Sequence, residues 1–104
     1  MLITTSHTIE GQPIQEYLGI VTGETILGAN VFKDIGASFR DVFGGRVGGW
    51  EAELRKARMS AMEEMTEAAR QIGATAIIAV DVDYETIGSG NTLMVAVAGT
   101  AVRL

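Results

Sequence analysis

Residues 50–72 read WEAELRKARMSAMEEMTEAARQI, which is the longest regular pattern in this 104-residue chain. Apolar side chains recur along it every three or four positions, as on one face of an amphipathic helix. The members of this stripe are Trp50, Leu54, Ala57, Ala61, Met65, Ala68 and Ile72. Gly73 follows, as expected for a residue that ends a helix in a left-handed conformation. The pattern predicts a helix about 34 Å long.

Two segments after this helix predict a β-hairpin. Residues 76–85 alternate, with Ile78, Val80 and Val82 on one face and Ile77 and the acidic side chains on the other. The turn sequence GSGN at 88–91 separates them from residues 92–104, the last strand. That strand is apolar on both faces, which is typical of strands buried on both sides.

The first half of the chain predicts two strands and a short helix. Residues 2–5 and 14–26 are expected as strands on either side of a turn at 11–13, with Leu18 and Ile20 on one face. Asn30 is a suitable cap for a short helix that ends near Phe43. The element order is then β-β-α-α-β-β. We expect a single domain, 1–104, of the α+β class, in which the long helix packs on a four-stranded antiparallel sheet.

Composition excludes several classes of partner. The chain has a net charge of −5 and a pI near 4.7, which argues against binding to nucleic acid or to anionic membranes. It has no cysteine, so disulfides and thiolate sites are excluded. Neither a signal peptide nor an apolar run long enough to span a membrane is apparent, and we expect a cytoplasmic protein.

The two-faced apolar strand predicts self-association. One long helix can cover only one face of the sheet, so a single copy would expose a large apolar surface on the other. Such surfaces usually mark interfaces. We therefore expect a homo-oligomer, in which sheet faces or edge strands of neighbouring copies meet. The alternative is a monomer in which both predicted helices fold over the sheet.

Five blocks of the sequence occur in an order that resembles the YbjQ-like family of small, uncharacterised bacterial and archaeal proteins. The blocks are GETILGAN at 23–30, DVFGGR at 41–46, LRKAR at 54–58, VDVDYE at 80–85 and MVAVAGTAV at 94–102. The resemblance covers essentially the whole chain. It implies a fold similar to the dodecin subunit and a ring-like homopentamer.

The resemblance also implies a description, "putative heavy-metal-binding", but no catalytic residues. Soft metals prefer thiolate and imidazole ligands. This chain has no cysteine and a single histidine, His7, so it departs from that description. A site built on His7 would need copies from several subunits.

Three carboxylates, Asp81, Asp83 and Glu85, share one face of a predicted strand. Their spacing along the strand is roughly 6.6 Å, and together they could bind a hard cation such as Ca²⁺ or Mg²⁺ through oxygen. The alternative is a solvated row, or one paired with arginine. The candidate partners are Arg40, Arg46, Arg55, Arg58 and Arg103.

The glycine-rich segment GGRVGG at 44–49 directly precedes the long helix. Its backbone N–H groups, with Arg46, could cradle a phosphate or carboxylate. We therefore take Gly44, Gly45, Arg46, Glu51 and Arg55 as candidate ligand-binding residues. The alternative is a hinge that lets helices or subunits approach closely.

Few other residues suggest a catalytic or cofactor-binding role. No serine has a credible base, because His7 is the single histidine. Trp50 with Met59, Met62 and Met65 suggests a flavin-stacking group, since dodecins bind flavin. The alternative is a packed core, because Trp50 and Met65 already belong to the apolar stripe of the helix and methionine fills gaps in cores. The sequence identifies no cofactor.

The sequence thus predicts a homo-oligomeric protein without catalytic activity that binds a small ligand or metal cation where subunits meet. One alternative is an assembly module that recruits a protein partner and binds no ligand. An enzyme with a site between subunits fits least, because no nucleophile with a base is recognisable.

Overall fold

The computed structural model describes residues 1–27, 48–87 and 92–104. These residues form one helix and one four-stranded sheet, an α+β arrangement. The elements are β1 (Leu2–Ile3), β2 (Glu16–Leu27), α1 (Gly48–Gln71), β3 (Ala76–Ile87) and β4 (Thr92–Arg103). The short helix predicted after Asn30, the segment 44–47 and the turn at 88–91 lie outside the described residues.

The sheet is mixed, so the expectation of an antiparallel sheet is wrong at β1. Its strand order is β1-β3-β4-β2, and β4 is antiparallel to both β2 and β3. β1, however, runs parallel to β3. The reason is the path of the connection after β1. Ile9 and Ile14 pack on Ala76, Ile78 and Val102, so this segment crosses the sheet instead of turning back as a hairpin.

The predicted helix is confirmed over nearly its whole length, and it ends as expected. Gly73 has a φ of 83°. Its N–H donates to the carbonyl of Arg70, and the N–H of Ala74 donates to the carbonyl of Ala69. These two bonds satisfy carbonyls that the helix end would otherwise leave without a partner.

The helix packs on one face of the sheet, mainly over β2 and β4. The buried residues of α1 are Ala57, Ala61, Met65 and Ala69. They meet Val21 on β2 and Val95 and Val97 on β4 in a single core. We call this side of the sheet the helix face and the opposite side the far face. Trp50 lies in the first turn of α1, and its side chain is outside the described part of the structure.

Two β-bulges flank β4 and reset the alternation of side chains. On β3, pairing with β4 is interrupted between Ile78 and Asp81, where Ala79 has a φ of 53°. On β2, Leu18 is the extra residue between Tyr17 and Gly19. Each bulge moves the following residues to the other face. Across the bulge on β3, Ile77 therefore shares the main core with Val82, and Ile78 shares the far face with Asp81.

Within residues 1–27, 48–87 and 92–104, the far face is covered at one end only. There, Ile9, Ile14 and Leu104 pack on the buried residues of the sheet. Farther along β2, Ile20 is 81% exposed and Ile26 is 60% exposed.

None of the helices in the described part of the chain has the length and apolar character needed to cross a bilayer.

Candidate functional site

The three predicted carboxylates lie together on the far face. Asp81, Asp83 and Glu85 pair in register with Ala98, Ala96 and Met94 of β4, and all three acidic side chains are exposed. The bulge before Asp81 places them on the same face as Ile78. This part of the sequence prediction is confirmed as a placement: the strand presents one continuous acidic row to the surface.

The register adds a fourth carboxylate to this surface. Glu24 of β2 pairs with Ala96, which also pairs with Asp83 on its other side. Glu24 and Asp83 are thus two strands apart, about 9.6 Å, on the same face. We call Glu24, Asp81, Asp83 and Glu85 the acidic surface. The sequence does not reveal that Glu24 belongs to it, because only the pairing of β2 with β4 brings the two segments together.

The neighbouring carboxyl groups on β3 perturb the carboxyl group of Asp83. A side-chain hydrogen bond with Asp81, followed by repulsion from its charge, raises the pKa of Asp83 above the ordinary value of 3.8. Loss of hydration and the charge of Glu85 raise it further. The folded state therefore binds this proton more tightly than the unfolded chain does. Ionised Asp83 destabilises the fold above its raised pKa, and the effect is relieved as the pH falls towards 3.8.

Replacing Asp81 with asparagine should return the pKa of Asp83 towards 3.8. The substitution removes the charge that repels the Asp83 carboxylate and the carboxyl partner of its hydrogen bond. The measurement is a carboxyl-carbon NMR titration of Asp83 in both proteins. Glu85→Gln is the matched control and should shift the pKa less, since Glu85 makes the smallest contribution. An Asp83 that titrates at the same pH with and without Asp81 would contradict this account.

The structure places the arginines that were proposed as partners of this row. Arg103 pairs with Glu16, and Arg58 donates a hydrogen bond to the hydroxyl of Tyr84. Between described residues, the ion pairs are Arg103–Glu16 and Arg70–Glu67, and neither involves the acidic surface. Arg55 lies on α1, on the other side of the sheet. Arg40 and Arg46 lie outside the described residues.

A second group of polar side chains lies between α1 and β3. It surrounds a depression of about 240 Å³ lined by Glu51, Leu54, Arg55, Arg58 and Tyr84. Two of the predicted ligand-binding residues, Glu51 and Arg55, therefore do come together. Gly44, Gly45 and Arg46 lie outside the described residues. We call this feature the Arg58–Tyr84 depression.

The sequence could not supply the other half of this depression. Arg58 and Tyr84 are 26 residues apart in the chain, and Nη1 of Arg58 donates to Oη of Tyr84 over 3.3 Å. Their proximity requires the helix to pack with a defined position and rotation on the sheet. The signal in the sequence is limited to spacing, since Arg55 and Arg58 lie three residues apart and share a helix face.

The remaining candidates are scattered. His7 is exposed in the segment before β2. Met65 is fully buried in the main core and Met62 is half-buried beside it, whereas Met59 is 63% exposed on α1. The methionines therefore do not form one continuous surface that a planar cofactor could stack on.

The family model described as "Putative heavy-metal-binding", the YbjQ-like model, matches residues 1–104. The chain belongs to the YbjQ-like family. Its fold is similar to the crystal structure of a DUF74-family protein of unknown function from Pediococcus pentosaceus, with a TM-score of 0.60 and 16% sequence identity. That similarity covers 100% of this chain and 97% of the other. At this identity, the likeness concerns the fold.

The donor chemistry of this YbjQ-like chain does not match the family description. Soft metals prefer thiolate and imidazole ligands. The sequence contains no cysteine and a single histidine. Within residues 1–27, 48–87 and 92–104, no three histidine, cysteine, aspartate or glutamate side chains come close enough to hold a metal ion. The carboxylates of the acidic surface are hard donors that alternate along a strand. A single chain is therefore a poor ligand set for a heavy metal.

Proposed function

We propose that this YbjQ-like protein is a non-catalytic subunit of a homo-oligomer, which assembles through its far face and strand edges and binds a small ligand or cation where subunits meet. The observation that supports this most directly is the exposure of Ile20 and Ile26, at 81% and 60%. Both project from the far face of β2, which lacks a covering helix in the described structure. Burying side chains of this size removes about 1.5–3 kcal/mol each of unfavourable hydration.

Strand edges give a second reason to expect assembly. β2 has twelve residues and pairs with β4 on one side, whereas no described strand pairs with its other side. It carries no lysine, arginine or proline, the residues that often protect an edge strand. After the bulge at Leu18 it continues without interruption to Leu27. A regular edge of this kind can accept a strand from another copy.

The opposite edge of the sheet suggests how a ring could close. β1 covers β3 only at its start, where Leu2 and Ile3 pair with Ala76 and Ile77. From Asp81 onwards, no described segment bonds to that edge. A contact between the β2 edge of one copy and the β3 edge of the next joins two different surfaces, and such contacts generate a ring when the rotation from copy to copy closes. This geometry is compatible with the homopentamer that the family resemblance implies, and five copies form part of the proposal.

The acidic surface supplies the ligand part of the proposal. Asp81, Asp83 and Glu85 lie beside the edge of β3 that no described segment covers, where a neighbouring copy would approach. Four carboxylates facing another subunit require a compensating positive charge. An arginine of the neighbouring copy or a hard cation such as Ca²⁺ or Mg²⁺ could provide it. The cytoplasmic location expected from the sequence stays a prediction.

Exchanging both exposed isoleucines for glutamate, Ile20→Glu with Ile26→Glu, should convert the oligomer into smaller species. Two carboxylates at an apolar contact lose their hydration without a partner, and they add to the charge of the acidic surface. Sedimentation velocity measures the species present. Circular dichroism should show an unchanged fold, because both positions are exposed within one copy. Met59→Glu is the matched control, since it makes the same kind of change on α1 and should leave the oligomer intact.

Native mass spectrometry combined with elemental analysis tests the copy number and the ligand together. We expect a single oligomer, with a hard cation if the positive charge comes from a metal and without one if it comes from a neighbouring arginine. A wild-type protein that sediments as a folded monomer would overturn the proposal. So would an oligomer that the double isoleucine variant leaves unchanged. A stoichiometric protein partner in place of self-association would favour the recruitment hypothesis.

A further inference from the structure

We propose that the Arg58–Tyr84 depression is a binding site for a small oxyanion, either phosphate or the carboxylate of a small molecule. The depression lies between α1 and β3 on the helix face of the sheet, away from the acidic surface. All five lining residues belong to one chain. The inference therefore goes beyond the proposed assembly and does not depend on it.

The charges around the depression favour an anion. The chain as a whole carries −5, yet Arg55, Arg58 and Glu51 leave a local charge of +1 at this point. The two arginines are one helical turn apart and repel each other, as like charges at this spacing do. Among the described residues, the arginines that form ion pairs are Arg70 and Arg103, and both lie elsewhere. An oxyanion between Arg55 and Arg58 would turn this repulsion into two attractive contacts.

The hydrogen-bond geometry also favours an acceptor in the depression. Oη of Tyr84 accepts a bond from Nη1 of Arg58, at 3.3 Å. The hydroxyl proton of Tyr84 must then point away from that guanidinium, where it can donate to a ligand. The guanidinium keeps four further N–H donors. Planar arginine donors match the paired oxygens of a carboxylate or phosphate.

The dimensions limit the class of ligand. A depression of about 240 Å³ is smaller than the 300–1,000 Å³ typical of sites for drug-sized molecules. Leu54 contributes an apolar side chain to the lining, and Glu51 contributes a negative one. A ligand with one compact anionic group can contact Leu54 and keep its charge away from the Glu51 carboxylate, whereas that carboxylate would repel a polyanion.

The test is an NMR chemical-shift titration of the full chain at low ionic strength, first with inorganic phosphate and then with acetate. Low salt is needed because exposed charges are screened. We expect saturable shifts at the Nε–H signals of Arg55 and Arg58 and at residues beside Tyr84. The probe that binds more tightly identifies the source of the oxyanion.

Variants distinguish specific binding in the depression from general attraction of an anion to any arginine on the helix. Arg58→Gln should weaken binding roughly tenfold, and Tyr84→Phe should weaken it by a smaller factor because the hydroxyl alone is lost. Arg70→Gln is the matched control, since it removes an arginine from the same helix outside the depression, and should leave binding unchanged. Thermal unfolding of each variant verifies that the fold is kept.

Two results would overturn the inference. One is the absence of saturable binding of either probe to the wild-type protein. The other is an equal loss of binding in Arg58→Gln and Arg70→Gln, which would indicate a diffuse electrostatic effect. Neither result depends on the oligomeric state, so the failure of this site and the failure of the proposed assembly can be distinguished.

Discussion

Gly23→Ala should destabilise the protein by about 3 kcal/mol, the upper part of the range for overpacking a well-packed interface. A Cβ atom at position 23 would overlap the carbonyl oxygen of Ala61 and lie 2.8 Å from the backbone nitrogen of Met65. Both atoms belong to the backbone of α1, so no side-chain rotation can relieve the contact. The helix would have to move away from β2, which would separate Ala57 and Ala61 from the sheet.

Urea unfolding followed by circular dichroism, at a fixed protein concentration, measures this loss. Gly99→Ala is an informative comparison, because its closest contacts are the side-chain atoms Cγ2 of Ile77 at 2.6 Å and Cγ2 of Val80 at 3.0 Å. Side-chain atoms can shift more readily than the backbone of α1, so Gly99→Ala should destabilise the protein less than Gly23→Ala. Thr22→Ala, on the exposed far face beside Gly23, should change stability by less than about 0.5 kcal/mol. A Gly23→Ala protein as stable as Thr22→Ala would show that the helix does not rest on β2.

The same contact positions the candidate anion site. Because the backbone of α1 touches Gly23, the helix lies over β2 and β4, and its side chains at Arg55 and Arg58 extend towards β3. We therefore expect Gly23→Ala to weaken phosphate binding as well as stability. Gly23 and Tyr84 lie on different strands, so this link would act through the placement of the helix.

The elements that sequence analysis predicted well are those with long periodic patterns. The helix and strands β2, β3 and β4 each extend over at least twelve residues, and their periods of 3.6 and 2 repeat often enough to be recognised. β1 has two residues, and its direction depends on where the following segment crosses the sheet. Nothing local determines that path, so the parallel pairing of β1 could not be predicted from residues 2–5.

The faces of individual residues were predicted less well, because the two bulges are not visible in the hydrophobic pattern. Leu18 and Ile20 were expected on one face. The bulge at Leu18 instead places Leu18 against the core and leaves Ile20 exposed. The bulge on β3 has the same effect. Ile77 was expected on the face of the acidic side chains but lies in the main core, and Ile78 shares the far face with those side chains. Both residues of each pair are apolar, so neither alternation looks wrong in the sequence.

The candidate sites show the same division between local and long-range information. The row Asp81, Asp83 and Glu85 was predictable, since residues two apart on a strand share a face. Glu24 joins it through the register of β2 with β4. Arg58 meets Tyr84 only because α1 packs over the sheet at one rotation. Contacts that depend on strand register or helix placement need the assembled core and cannot be read from spacing.

Met65→Ala should reduce the free energy of unfolding by about 3–4 kcal/mol. Met65 is fully buried at the centre of the stripe that α1 presents to the sheet, and it is among the largest completely buried side chains. Truncation removes its transfer free energy and leaves a cavity. The cost of such a cavity depends on how far the surroundings can collapse into it. Here the backbone of α1 already contacts Gly23, so the helix cannot move closer to β2 and the cavity should persist.

Met59→Ala is the matched control, because it removes the same atoms from a position on α1 that is 63% exposed. Alanine is the better helix former, so stability at position 59 should stay within about 0.5 kcal/mol of the wild type. Urea unfolding at one protein concentration compares the two variants, and similar m-values would show that both unfold the same surface. If Met65→Ala costs no more than Met59→Ala, then either α1 relaxes towards the sheet or its stripe is not the main core. Relaxation of α1 towards the sheet would also mean that the Gly23 contact does not limit how closely the helix packs.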